Sequence, residues 1–310
     1  SLTAGATRVR VIVDKGPNSP HIAVVDNGQG MPLDRLVEAM RMGTLGPLAV
    51  RGATDLGRFG LGLKTASFSQ GRSVTVVTKT KGARSPVVRR WDLTHVRASS
   101  QWQLLDEPSD VAQSFCDTLD GLPHGTAVVI EDLDRASFLE VPGPQVDRHL
   151  SLALEAIRLH LGMVFHRFLS EDKLEIRLGE SLIPPWDPYL MDRSTRLPQE
   201  TLNYRGHSIS VAPFVLPHHS RLTDDQNSLA AGPLGWDKHQ GFYIYRCRRL
   251  IVSGTWLDLS LRQGGFYRLA RIRLDLPNTM DADWHLNVMK SHVAAPASLW
   301  DDLRRIATDV

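Results

Sequence analysis

The chain has 310 residues, 42% of them apolar and 23% charged, with a formal net charge of +2. That length accommodates two domains, each with a real core, and a charge so close to zero gives no argument by itself for nucleic acid. No apolar run is long enough to span a membrane, and the chain carries no recognisable signal peptide, low-complexity tract or internal repeat. Cys116 and Cys247 are the only cysteines and stand in no metal-ligand or Cys-x-x-Cys spacing. Reduced thiols in a cytoplasmic protein are therefore expected. The chain has 12 histidines, densest at His218-His219. No His-Glu-x-x-His or zinc spacing surrounds that pair, so it reads as surface or loop.

Ser1 to Ala6 reads as the end of a helix closed by Gly5, feeding a strand from Arg8 to Val13. After a turn at Gly16 to Pro20, the alternation from His21 to Val25 predicts a second strand. It runs into Asp26-Asn27-Gly28-Gln29-Gly30-Met31. A carboxylate at a strand's end, followed by glycines, can point into a pocket while the backbone turns tightly. The same aspartate can equally cap the turn. Pro32 to Met42 reads as an amphipathic helix with Leu36, Val37 and Met40 on its core face. Gly43 to Thr54 is loop-like. The segment Asp55 to Lys64 then packs Gly57, Gly60 and Gly62 just before a helix-like run, Leu63 to Ser69. Glycines at a helix start let backbone amides close on phosphate oxygens, although a tight turn that binds nothing has the same composition. Arg51 and Arg58 are either phosphate contacts or solvated charges. Lys64, in the first helical turn, is mismatched to the helix dipole unless an anion lies nearby. Neither a Walker A loop nor a Rossmann fingerprint fits these spacings.

Val74 to Lys79 and Val87 to Asp92 read as strands joined by a basic, solvated turn, Lys79-Thr80-Lys81-Gly82. Trp91 is expected to fill the sheet. Trp102 to Leu105 reads as a further strand, and Asp106 to Gly121 as a short helix with a surface loop. Gly125-Thr126 opens a strand through Ile130, where a threonine needs no ligand to explain it. Glu131 to Asp134 reads as an exit loop rather than a metal site. A long amphipathic helix is predicted over Leu150 to Leu169, then a strand from Lys173 to Leu178 and a proline-stiffened segment, Ile183 to Pro188. Strands follow at His207 to Phe214, Gly241 to Tyr245 and Tyr267 to Leu274. Pro217 to Gln240 is long for a structureless connection. Arg246, Arg248 and Arg249 with Phe242, Tyr243 and Tyr245 look like a nucleic-acid surface, though strand alternation lets only part of that set share one face. Ser298 to Ala307 closes the chain as a helix.

Asp26-x-Gly28-x-Gly30, the Gly57 to Lys64 segment and Gly125-Thr126, in that order, resemble the nucleotide-binding boxes of the GHKL ATPase superfamily (gyrase B, the heat-shock chaperone of about ninety kilodaltons, histidine kinases and MutL). The wording is most similar to MORC-like ATPases. The resemblance implies an α+β fold: a two-layer α/β sandwich of the Bergerat type over residues 1–140, then a ribosomal protein S5 domain 2-like transducer over 141–310. It implies that Asp26, aided by Thr126, holds the adenine of ATP, with Met31 as an apolar wall and Gly28 and Gly30 under the sugar-phosphate. Gly57, Arg58, Phe59, Gly60, Leu61, Gly62, Leu63 and Lys64 would hold the phosphates. Lys290, in the Asp281 to Ser291 stretch, matches the transducer lysine that reaches the terminal phosphate. The resembled proteins carry a general-base glutamate and a magnesium-ligating asparagine on the preceding helix, and Ser1 falls just after that asparagine. The chain therefore reads as a fragment without its first helix and its Mg2+ ligand. Slow magnesium-dependent hydrolysis, homodimerisation on ATP binding, and a protein client or DNA as partner are further expectations. The alternatives are a non-hydrolysing nucleotide-dependent interaction module and a DNA-binding clamp. A histidine kinase is disfavoured, because no phosphoacceptor helix precedes the ATP boxes.

Overall fold

The computed structural model describes residues 1–16, 19–41, 62–136, 143–285 and 293–310. The chain divides into two compact units. The first gathers the described residues of Ser1–Val50, Gly57–Arg158 and Lys173–Ile183. Its centre is a seven-stranded sheet of β1 (Arg8–Asp14), β2 (His21–Asp26), β3 (Ser73–Lys79), β4 (Val87–Asp92), β5 (Gly125–Glu131), β6 (Glu175–Leu178) and β7 (Ser181–Leu182). The spatial order is β4-β3-β5-β2-β1-β6-β7. All pairings are antiparallel except that of β1 with β6. The strand expected after Lys173 thus forms, and it lies in this first sheet.

Alternation along β3 explains why every one of its residues is buried. Val74 and Val76 pack with Leu36 and Met40 of α1 (Leu33–Met40) and with Trp91, and Leu63 and Phe68 of α2 (Gly62–Phe68) pack against that cluster. Val77 turns the other way, onto Ala112, Phe115, Cys116 and Leu119 of α4 (Asp110–Asp120). Helices therefore cover both faces of the sheet at β3 and β5, where the sequence reading expected a single helical layer. Trp91 fills the sheet as expected, and its Nε1 donates to the Met40 carbonyl at 2.8 Å. Lys79 corrects the reading of a solvated basic turn. It ends β3 facing α4, is buried, and donates to the Asp120 carbonyl at 2.6 Å. Trp102 to Leu105 makes one bridge, Arg90 to Leu105, rather than a strand. A helix that the sequence reading did not anticipate, α3 (Leu93–Ser99), is capped by Asp92, whose side chain accepts from the amides of Thr94 and His95. The long helix expected over Leu150 to Leu169 is two helices, α5 (Gly143–Val164) and α6 (His166–Glu171), broken at Phe165.

The second unit comprises the described residues of Leu159–Asp172 and Pro184–Val310. Its strands are β8 (Thr195–Arg196), β9 (Glu200–Tyr204), β10 (His207–Val215), β11 (Gly241–Arg246), β12 (Arg249–Thr255) and β13 (Ala270–Leu276). They pair in the order β12-β11-β13-β10-β8, with β9 on β10. β11 and β13 run parallel. The stretch from Pro217 to Gln240 contains α7 (Asp224–Ala231), opened by a capping box of Thr223 and Gln226. One sheet face packs Ile209, Ile272, Leu274 and Trp284 with Leu303 and Ile306 of α8 (Trp300–Thr308). The other face carries Tyr243, Tyr245 and Phe214 against Trp186 and Tyr189. Of the residues read as a nucleic-acid surface, the aromatics and Arg246 are interior, while Arg248 and Arg249 are half-buried. Phe242, Tyr243 and Tyr245 are buried, Arg246 pairs with Asp281 at 2.6 Å, and Arg248 pairs with Glu171 and Asp172. Among the described residues no helix is long and apolar enough to cross a membrane.

Two histidines of this unit set its acid sensitivity. Burial, helped by Arg167 and Arg273, pushes His166 from 6.5 down to about 3. Burial, helped by Arg271, takes His239 to about 4. Both are neutral when folded, so below about pH 6.5 the unfolded chain binds more protons than the folded one. Stability should fall as the pH drops from about 6.5 toward 4, by up to ~1.4 kcal/mol per pH unit for each histidine. Urea denaturation at about pH 7 and about pH 5 reads this directly. Identical midpoints would mean that neither imidazole is held neutral.

Candidate functional site

Three adjacent strands bring the site together. Register places Asp26 of β2 opposite Thr126 of β5, and Thr126 opposite Thr78 of β3. Residues directly opposite share a face, so the carboxylate and two hydroxyls stand in a row. They stand on the face that Met31 and Leu63 approach, since both pack with Val76 and Val128 of the same phase.

The Asp26 side chain is only 8% exposed. Its Oδ1 accepts the Gly28 amide at 2.8 Å, and its Oδ2 accepts the Ser1 hydroxyl at 2.7 Å. One oxygen thus performs the turn-capping duty that the sequence reading left open, while the other points at a group outside the turn. Asn27, on the opposite phase, ties β2 to the start of β1: its Oδ1 accepts the amides of Thr7 and Arg8.

The two box glycines are forced by space. A Cβ on Gly28 would lie 2.8 Å from Asp26 Oδ1 and 2.9 Å from the Ala4 Cβ. Gly30 has φ +71, and a Cβ there would stand 2.1 Å from the Lys79 carbonyl oxygen. Any side chain at either position would fill the approach to Asp26 or displace β3. His124 supports the same turn, its Nδ1 lying 2.8 Å from the Gly28 carbonyl, to which the ring N–H donates.

Thr78 was not anticipated from sequence. Its Oγ1 accepts the Met31 amide at 2.9 Å, lies 3.0 Å from Thr126 Oγ1 and 3.2 Å from the Gly125 carbonyl. It locks Met31 and Thr126 to one another. Only the cross-strand register reveals it, because in the sequence Thr78 is one more strand threonine.

In the segment expected to hold phosphates, Gly62 opens α2 and is exposed, with nothing within 4 Å of a Cβ built there. Leu63 lies on the apolar cluster beside Met31. Lys64 is 2% exposed and donates to the carbonyls of Ala39 and Arg41 at 2.8 and 2.6 Å. It therefore caps the C-terminal end of α1, a place where a cation is favoured. Burial pushes its ammonium below the usual lysine value. Gly57, Arg58, Phe59, Gly60 and Leu61 lie outside the described residues, as does Lys290. The structure therefore joins Asp26, Gly28, Gly30, Met31 and Thr126, adds Thr78, and turns Lys64 onto backbone carbonyls.

Comparison with known proteins bears on the same part of the chain. No curated protein matches it. A similar solved structure is "Aquifex aeolicus MutL ATPase domain complexed with ADP", 14% identical, covering 100% of this chain and 92% of that one, with a TM-score of 0.42. Residues 1–126 match the family described as "Histidine kinase-, DNA gyrase B-, and HSP90-like ATPase". Those residues contain Asp26, Gly28, Gly30, Thr78 and Thr126, and their mixed α+β fold is of the GHKL ATPase type.

Proposed function

We propose that the first unit binds ATP and, in the protein as it works, hydrolyses it slowly. The observation that carries this is the row of Asp26, Thr126 and Thr78 above the Gly28 and Gly30 turn. An adenine amino group is a hydrogen-bond donor, and Asp26 Oδ2 is a buried acceptor held by a fixed backbone. Thr126, locked by Thr78, would present its hydroxyl beside that carboxylate, and Met31 would supply an apolar wall for the base. A sugar-phosphate would pass over Gly28 and Gly30. The amides of Gly57 to Leu63, with Arg58, would close on the phosphates, and Lys290 would contact the terminal one. Lys64 enters this proposal as a positioning residue that fixes α2 against α1.

Among the described residues no three histidine, cysteine, aspartate or glutamate side chains converge to hold a metal. Magnesium is proposed as a companion of the triphosphate. The second unit is proposed as a transducer of the S5-like kind. The protein is proposed to resemble MORC-like proteins most, to dimerise on binding ATP, and to act in the cytoplasm on a protein client or DNA.

The test is calorimetric titration of the 310-residue chain with ATP, ADP and GTP, with and without magnesium. Adenine-selective binding is expected. Equal affinity for ATP and GTP would sink the Asp26 reading. Binding without phosphate release by the whole protein would leave a non-hydrolysing nucleotide-dependent module.

A further inference from the structure

The second unit contains a cavity of about 230 Å³ between α6 and the segment from Pro185 to Met191, lined by His166, Arg167, Glu171, Asp187, Tyr189 and Arg273 among others. Its donors and acceptors are unequally occupied. Asp187 is committed, its two oxygens accepting the amides of Tyr189 and Met191. Glu171 stands at the rim, 52% exposed, bound by Arg248 at 2.5 Å.

The donors are different. Arg273 makes no hydrogen bond among the described residues. Its Nε is buried without a hydrogen-bond partner and lies 3.4 Å from Asp275 Oδ2. Its guanidinium lies 5.9 Å from the centre of the Phe214 ring, and its terminal nitrogens make no hydrogen bond among the described residues. Arg167 gives one terminal nitrogen to Asp275 Oδ1 at 2.5 Å, while its Nε has no hydrogen bond. Asp275 thus stands between two guanidinium groups, with Glu171 Oε1 also 3.7 Å from Arg167 Nε. His166 adds a third donor. Tyr189 donates its hydroxyl to Tyr245 at 2.9 Å, which leaves the Tyr245 proton for His166 Nε2 at 2.7 Å. The imidazole is neutral, so its proton sits on Nδ1, which has no partner among the described residues.

A planar guanidinium fork with free terminal nitrogens matches the paired oxygens of a carboxylate or phosphate. Guanidinium donors without hydrogen bonds beside a cavity favour an acceptor-only guest. We propose that this cavity binds a small oxyanion, a carboxylate or a phosphate, on the terminal nitrogens of Arg273 with Arg167 and His166 beside it. Tyr189, Pro185 and Met191 form its less polar walls. The guest is small, because the space suits a phosphate or a short dicarboxylate and not a nucleotide.

The experiment is calorimetric titration of the full chain with sodium phosphate and, separately, with sodium succinate. Saturable binding of either is expected, and which of them binds tells phosphate from carboxylate as the natural chemistry. Arg273→Gln should weaken that binding about tenfold or more, since a hydrogen bond to a charged group is lost. Glu171→Gln, a surface change, should tighten it about two- to fivefold by removing a rim charge that repels the guest. Failure of both anions to saturate by about 10 mM would overturn the proposal. So would phosphate affinity indifferent to Arg273→Gln, because the anion would then sit elsewhere. Should Arg273→Gln fail to fold, unchanged or weaker affinity in Glu171→Gln decides against it.

Discussion

Asp26→Asn should reduce ATP affinity about a hundredfold or more, ~3 kcal/mol, while leaving the fold intact. The reason for both halves lies in the two oxygens. An asparagine keeps a carbonyl oxygen for the Gly28 amide, so the turn survives. The other position becomes an NH2 group, which can still donate to the Ser1 hydroxyl where the carboxylate accepted from it. Against an adenine amino group, however, it sets donor against donor in a site that is nearly closed to water. Titration of wild type and variant under identical conditions, with circular dichroism as the fold control, measures the difference. Unchanged affinity in a folded variant would remove Asp26 from base recognition.

The largest effect on stability is expected at the other end of the chain. Asp281→Ala should cost about 3–5 kcal/mol. Arg246 is 4% exposed, and its Nε meets Asp281 Oδ1 at 2.6 Å. Removing the carboxylate takes from the Nε of a buried guanidinium, which cannot lose its proton, its charged acceptor. A drop in the urea midpoint without a change of slope would register as lost stability. A shift below about 1 kcal/mol would mean that Arg246 finds other acceptors as good as Asp281.

Much of this molecule is legible in one dimension, because period-two alternation and glycine punctuation are local signals. β2, β4, β5 and β11 lie where alternation puts them, and Asp26 and Thr126 fall into register as their order along the chain suggests. The misreadings share a cause: each depends on a partner far away in sequence. Lys79 looked solvated because it opens a basic turn, yet its phase on β3 turns it toward α4. Arg246, Arg248 and Arg249 looked like a nucleic-acid surface because the aromatic residues of β11 stand just before them. Their carboxylates, Glu171, Asp172 and Asp281, come from other segments. Thr78 gains its meaning only from the two strands beside it. The break at Phe165 was hidden because apolar residues continue through it, so periodicity alone runs α5 into α6. For α3 a local signal existed: Asp92 caps it, but the strand pattern ending there masked the cap.

The parallel pairing of β1 with β6 has a bearing on how the chain is made. β1 is synthesised long before β6, and β2, which follows it directly, can pair with one side of it at once. The strand for its other side arrives only with Glu175 to Leu178. Until then β1 is a bare edge rich in β-branched residues, the kind of edge that recruits strands from other molecules. Arg8 and Arg10, exposed charges on that strand, are of the kind that discourages such pairing. A truncation near residue 140 would make the wait permanent, and such a piece should be prone to edge-to-edge association even with its helices and the Asp26 turn in place.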